Sequence, residues 1–390
     1  MKTLLLRNAN AILPDGKAEN VSVLIGNGKV LEILSGIGNP SADKEIDISN
    51  TTLFAGFIDI HIHGAVGIDT NETGADGLNR VARFLAKNGV CAWLPTLVPD
   101  SEENYLRSVQ VIDELISAQD ELEPAARVVG VHYEGPYVSE KQCGALHAEF
   151  FKTYDGEDGL KFLPRLKNQG AIHLTTLAPE IEGGVELIKA LVKQGWVVSI
   201  GHTRATVAIL EQALEAGAHH MTHFMNAMSP LHHRHLGPIG WGLLNDGVTC
   251  DVIADGVHVD PLMLRLILRC KTPERISLIS DAVAPAGLGD GEYSIWGETI
   301  TVTQGRTSNA RGSIAGSVIT MLDAVRLMLS LGVAAEDVSR MASSNPARLL
   351  GVDQDCGSIE VGKRADLTAL DTEGNVRLTL VDGRVAFDNI

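Results

Sequence analysis

The chain is 390 residues long, 45% hydrophobic and 21% charged, the make-up of a soluble globular protein with room for one large domain and a smaller one. A net charge of −17 excludes sequence-independent nucleic-acid binding and a basic membrane-surface role. The five cysteines (Cys91, Cys143, Cys250, Cys270 and Cys356) are scattered, odd in number and without C-x-x-C spacing, which argues against a disulfide framework and for a reducing cytoplasm.

In chain order, the opening "MKTLLLRNANAIL" holds an apolar run that Arg7, Asn8 and Asn10 cut short, so a secretion signal is not expected. Nowhere is an apolar run long enough to span a bilayer. Residues 1–53 read as short strands. In "VSVLIGNGKVLEIL" two β-rich runs flank Asn27-Gly28, a turn that needs positive φ, so a hairpin is predicted. Residues 351–390 return to this style in "ADLTALD", "VRLTLVDG" and "RVAFDN", with Asp382-Gly383 as another turn. Each end is too small to bury a core alone, and the two are predicted to join in one small β-sandwich domain.

Residues 54–350 differ. Eight apolar runs alternate with helical stretches: "FIDIHIHG", "CAWLPTL", "RVVGVHYEG", "AIHLTTLAPE", "WVVSIGHT", "HHMTHFMNAM", "TCDVIADGVH" and "ISLISDAV". Among the helices, "GVELIKALVKQG" sets Leu187, Ile188, Leu191 and Val192 on one face, and "RATVAILEQALEAG" follows the same rule. Both close on glycine, a helix C-cap signal. Strand–helix alternation of this extent predicts a parallel sheet, and eight units match the α/β (β/α)8 TIM barrel. A doubly wound open sheet is weakened by the absence of a G-x-G-x-x-G turn after an early strand. Two connections exceed what a barrel needs, residues 137–170 and 286–316, and the second holds a predicted hairpin in "YSIWGETITV".

The first run ends on His61 and His63, two positions apart and so on one face of a strand. An H-x-H alone reads as a hydrogen-bonded structural pair. The other runs decide: the third ends on Glu134, the fifth on His202, the sixth on His223, the seventh on Asp255 and His258, the eighth on Asp281. Strand C-termini of a barrel converge on one mouth, so these imidazoles and carboxylates would meet there. Nitrogen and carboxylate donors of this kind suit a divalent metal, and a hydrolytic metal centre is the expectation.

The motifs "GFIDIHIHG", "HYEGP", "IGHT", "THFMNAM", "DGVH", "ISDA" and "IAGS", in this order over most of the chain, resemble the amidohydrolase superfamily, and within it the branch that deacetylates phosphorylated amino sugars. "LTTLAPE" puts no lysine at the end of the fourth run, unlike the hydantoinase-like branch, whose carboxylated lysine bridges two metals. The resemblance implies that Glu134, His202 and His223 hold one metal and that His61, His63 and a bridging Glu134 hold a second. One or two divalent ions per subunit, zinc or iron, are thus expected. It also implies that Asp281 is the catalytic acid–base and that His147 polarises the acetyl carbonyl. The loop "QCGALHAEF" is one residue longer than the branch's glycine–small–histidine pattern. Arg234 and His258 would hold the phosphate, Arg234 reaching across a homodimer. Asn226 and Ala227 would contact phosphate or sugar, and Ile314 and Ala315 would line the sugar pocket.

The implied activity is hydrolysis of the acetamide of N-acetylglucosamine 6-phosphate in the cytoplasm, with a small phosphorylated amino sugar as partner and neither nucleic acid nor membrane. The galactosamine epimer is the nearest alternative, since one hydroxyl separates the two. Another amidohydrolase reaction, of the D-aminoacylase or nucleobase-deaminase kind, and a catalytically silent scaffold are the more distant ones.

Overall fold

The computed structural model describes residues 2–35, 40–310 and 312–390, with backbone only at 157 and 158. Eight barrel strands run Phe57–Ile62, Val90–Leu97, Gly130–Glu134, Ile172–Leu177, Val197–Ile200, His220–Met221, Thr249–Ile253 and Ile276–Ile279. Each pairs in parallel with the next. The ring closes between the eighth and the first at the end of the first strand and just beyond the eighth, where the Asp281 amide donates to the His61 carbonyl at 2.9 Å and the His63 amide to the Ala282 carbonyl at 2.8 Å. The fold is the (β/α)8 barrel that the alternating runs predict.

Helices cover the outside through apolar faces at helical spacing. Ala75–Lys87 buries Leu78, Val81, Ala82, Leu85 and Ala86, each leucine-sized side chain contributing about 1.5–3 kcal/mol by burial. Gly184–Lys193 buries Leu187, Ile188 and Leu191. Val192, grouped with them by sequence, stays 37% exposed. It caps Gly217, where an added Cβ would meet both Val192 methyls at 3.0 Å.

Three layers fill the barrel. The base is apolar: Ile58, Ile60, Ala92, Leu94, Leu174, Ile253 and Ile279 pack with Ala347 of the helix Asn345–Leu349 and with Leu350 at its C-cap. Above it lies a hydrogen-bonded belt. Thr96 Oγ1 lies 3.1 Å from His132 Nδ1, His132 Nε2 2.8 Å from Thr176 Oγ1, and Thr176 Oγ1 2.7 Å from Thr222 Oγ1. Ser199 Oγ closes the run at 2.5 Å from Thr222 Oγ1. The third layer, at the mouth, is the candidate site.

The chain ends share one sheet. Thr3–Leu13, Gly16–Gly26, Lys29–Ser35, Lys44–Asp47 and Thr52–Ala55 join Leu367–Leu370, Val376–Val381 and Arg384–Asp388 in eight strands. The junction is an antiparallel pairing of Leu53 with Ala369 and Ala55 with Leu367, and Leu6, Val23, Ile25, Leu367 and Leu378 build its core. Both predicted turns form, with φ of 52° at Asn27 and 51° at Asp382, followed by Gly28 and Gly383 at 75° and 68°. The Gly291–Ile295 and Glu298–Thr303 hairpin gains a third strand, Arg306–Asn309.

Candidate metal centre

His61, His63, Glu134, His202, His223 and Asp281 are all buried at the mouth. Three of them, His202, His223 and Asp281, hold φ of 46°, 30° and 49°, a left-handed backbone uncommon for such residues and characteristic of functional sites. Each is the second residue past its strand, so the left-handed step turns the side chain inward where the regular pleat has ended. Neighbours fix the steps. The His223 amide donates to Asp251 Oδ1, and Asp251 Oδ2 lies 3.0 Å from His220 Nε2. The Asp281 carbonyl accepts from the Ser317 amide at 2.8 Å. Asp59, fully enclosed, accepts from Ser280 Oγ at 2.6 Å. Burial pushes its carboxyl up to about 6, against the Ser280 hydrogen bonds.

The donors fall into two groups, His61, His63 and Asp281 on one side and Glu134, His202 and His223 on the other, each with ligand atoms within 4.8 Å of one another. In the second group, Glu134 Oε1 stands 2.9 Å from both His202 Nε2 and His223 Nε2, and those nitrogens are 3.1 Å apart. In the first, His61 Nε2 and His63 Nε2 are 3.1 Å apart, and Asp281 Oδ1 is 3.4 Å and 3.3 Å from them. Glu134 faces both groups, because its Oε2 lies 3.2 Å from His63 Nε2.

Such convergence of lone pairs needs positive charge at its centre. Burial opposes protonation of His63, but the Asp281 and Glu134 carboxylates outweigh it and lift its pKa to about 10. For Glu134, burial raises the pKa, and His61 with the His202 and His223 hydrogen bonds takes it well below the usual carboxylate range. Asp281 is lowered in the same way: burial is outweighed by His61 and His63. A field that would hold a proton on His63 will also hold a divalent cation, and four imidazole nitrogens with two carboxylates are the donor set such ions take. His202 Nδ1 is 2.7 Å from the Gln142 carbonyl, which fixes the tautomer that leaves Nε2 free for a metal. Beneath, His132 packs edge-to-face on His61 with ring centroids 4.5 Å apart.

A match to the amidohydrolase family spans residues 52–386. The chain belongs to the amidohydrolase family. It is 35% identical over 389 residues to the N-acetylglucosamine-6-phosphate deacetylase of Bacillus subtilis (strain 168), covering 99% of this chain and 98% of that one. It is 33% identical to the N-acetylgalactosamine-6-phosphate deacetylase of Escherichia coli O157:H7, covering 98% and 99% of the two chains. The structure of a mutant N-acetyl-D-glucosamine-6-phosphate deacetylase from Mycobacterium smegmatis, in complex with N-acetyl-D-glucosamine-6-phosphate, superposes with a TM-score of 0.88 at 31% identity, covering 99% of this chain and 100% of that one. Amidohydrolases are metal-dependent, and the two donor groups fit that chemistry.

The other expected site residues belong to neither donor group. Asp255 and His258, expected at the end of the seventh strand, follow it by two and five residues. They pair with each other, His258 Nδ1 to Asp255 Oδ2 at 2.6 Å, and belong to neither donor group. Asn226 follows His223, donates its amide to the His223 carbonyl at 2.8 Å, and keeps a buried Nδ2 with no hydrogen-bond partner among the described residues. Ala227 accepts from the Thr203 amide at 3.1 Å. Ile314 is half-buried, and Ala315 is buried two residues before Ser317, which pairs with Asp281. His147 is half-buried, with Nδ1 3.5 Å from Glu149 Oε1, and belongs to neither donor group. Arg234 is exposed, and its guanidinium has no ion-pair partner among the described residues.

The sequence reading missed the belt and Asp251. A signal existed for His132, which stands two residues before Glu134 and so shares its face. Thr96, Thr176, Ser199 and Thr222 look like ordinary strand residues. The Gln142 carbonyl carries no side-chain signature at all.

Proposed function

We propose that this chain hydrolyses the acetamide of N-acetylglucosamine 6-phosphate to glucosamine 6-phosphate and acetate. The observation that carries the reading is the shared carboxylate: Glu134 presents one oxygen to His202 and His223 and the other to His63. Glu134, His202 and His223 would hold one divalent ion, and His61, His63 and Asp281, with Glu134 between, a second. Zinc or iron suits these nitrogen and oxygen donors. A bound divalent ion lowers the pKa of water toward about 7, supplying a nucleophile at neutral pH.

This chain's residues do the rest. Asp281, kept ionised by His61 and His63, takes a proton from the attacking water at its carboxylate and returns it to the departing amine. His258, held by Asp255, and the unpartnered Asn226 amide offer donors to sugar and phosphate, with Ala227, Ile314 and Ala315 along the walls and His147 toward the carbonyl. Arg234 supplies the planar fork that suits phosphate. Its exposure in one subunit and the apolar Leu231 and Leu236 beside it, 48% and 38% exposed, favour a homodimer in which it reaches the neighbouring site. The five cysteines are unpaired, in keeping with a cytoplasmic setting, and no described helix is long and apolar enough to cross a membrane.

The galactosamine epimer is the second reading, favoured by the 33% identity to an N-acetylgalactosamine-6-phosphate deacetylase. A silent scaffold and a D-aminoacylase-type reaction are disfavoured, the first because all six donors are in place and the second by the phosphate-suited Arg234. Acetate release is measured on the gluco and galacto substrates, each with and without the 6-phosphate. The proposal expects the highest kcat/KM on the phosphorylated gluco sugar. A preference for the galacto epimer shifts the assignment to the second reading, and no release from any of them refutes both.

A further inference from the structure

The Gly291–Ile295 and Glu298–Thr303 hairpin turns on two residues, Trp296 and Gly297, both left-handed with φ of 49° and 74°. Turns of this kind favour asparagine or aspartate before the glycine, and a bulky aromatic there is strained unless its side chain gains something in return. Trp296 lies over the metal centre. Its ring packs edge-to-face on His63 with centroids 5.4 Å apart, and its buried Nε1 faces the Asp69 carboxylate.

Two small apolar clusters meet at this indole. One is Val283, Ile295, Ile300 and Ala315; the other is Val98, Val138 and Leu146. Val98 follows the second barrel strand, and Val138 and Leu146 the third. The donors expected to hold the sugar, Asn226 and His258, follow the sixth and seventh strands, on the opposite side of an eight-stranded ring. The scissile carbonyl carbon bears three groups in one plane: oxygen, amine nitrogen and methyl. With the nitrogen leading to a sugar beside the sixth and seventh strands, both the oxygen and the methyl point away from that side, and of the two the methyl is the one that suits the apolar residues beside the second and third. The wall there is apolar and has Trp296 at its end.

Resting on the deacetylase reading, we infer that Trp296 closes the acyl pocket and is the residue that limits the acyl group removed to the size of acetyl. The indole is a stop and takes no part in the proton transfers.

The test compares kcat/KM for N-acetyl-, N-propionyl- and N-butyrylglucosamine 6-phosphate in the metal-loaded full chain and in Trp296→Ala and Trp296→Leu. In Trp296→Ala the butyryl-to-acetyl ratio is expected to rise roughly 10- to 200-fold, the span that methylene-sized changes in an apolar pocket produce. Trp296→Leu, which keeps an apolar apex, should rise less, and it decides the matter if Trp296→Ala does not fold. A purely structural role for the indole would depress all three substrates together and leave the ratio unchanged. An unchanged ratio in a folded variant that still releases acetate overturns the acyl-pocket inference and leaves the deacetylase reading standing. A wild-type chain that cleaves none of the three overturns both.

Discussion

The base and the mouth of the barrel are lined by the same eight strands, yet they are built by opposite rules. At the base, Ile58, Leu94, Leu174, Ile253 and Ile279 lie within their strands and pack into one apolar cluster. At the mouth, His202, His223 and Asp281 leave the pleat through left-handed steps and bury charge against charge. Between them, the Thr96–His132–Thr176–Thr222 belt hydrogen-bonds within itself, so the ligand layer rests on polar groups that are already satisfied. The contrast teaches where stability and function separate: ring geometry comes from the base, while the mouth spends conformational strain on chemistry.

The largest effect should come from the mouth. Asp281→Asn keeps the side chain's size but removes its proton acceptor, so kcat should fall about 10²–10⁴-fold with the thermal midpoint little changed. Near-wild-type turnover in steady-state assays would move the base elsewhere. A base substitution should do the reverse. Leu174→Ala is expected to cost about 2–5 kcal/mol in denaturant unfolding while metal content per folded chain stays constant. Loss of metal in the still-folded variant would erase the division drawn between the layers.

Inside the mouth, replacing His61 and His63 together by alanine should lower metal content toward a single ion on Glu134, His202 and His223, with hydrolysis measurable, because one ion suffices to activate water. Full metal content in elemental analysis of that double variant would contradict the two-group arrangement.

The smallest effect lies outside both layers. His173 is buried against Trp196 and accepts the Leu166 amide at Nε2, 2.9 Å away, and burial, with Arg165 nearby, pushes its pKa down to about 4. Its folded pKa is below its unfolded one, so the unfolded chain binds the extra proton. The contribution is intact above about pH 6.5 and is lost as pH falls toward 4, about 1–2 kcal/mol after solvent screening. His173→Gln should flatten stability against pH in that window; an unaltered slope would assign the acid sensitivity to another group.

These contrasts also explain what the sequence made legible. Eight apolar runs and the polar residues at their ends follow from strand periodicity, and so do the two Asn-Gly and Asp-Gly turns, whose φ only certain residues tolerate. Asp255 stands two residues past Ile253, the offset that His202, His223 and Asp281 hold from their own strands, yet it pairs with His258 and joins neither donor group, a difference that position along a run does not carry. The belt was hidden because Thr176 and Thr222 suit any strand, and their value comes only from neighbours dozens of residues away. Trp296 belongs to a hairpin that was foreseen, but nothing in "YSIWGETITV" says that its apex folds over His63.

The central claim, that the buried donors at the mouth form a metal centre for deacetylating a phosphorylated amino sugar, is tested most directly by removing and restoring the metal. The purified chain is stripped with a chelator, its metal content is measured, and acetate release from N-acetylglucosamine 6-phosphate is followed as zinc or ferrous iron is added back. The account predicts negligible release from the stripped protein and recovery that saturates at no more than two ions per chain, with no recovery in Glu134→Gln. A stripped, metal-free protein that releases acetate at the untreated rate would contradict it.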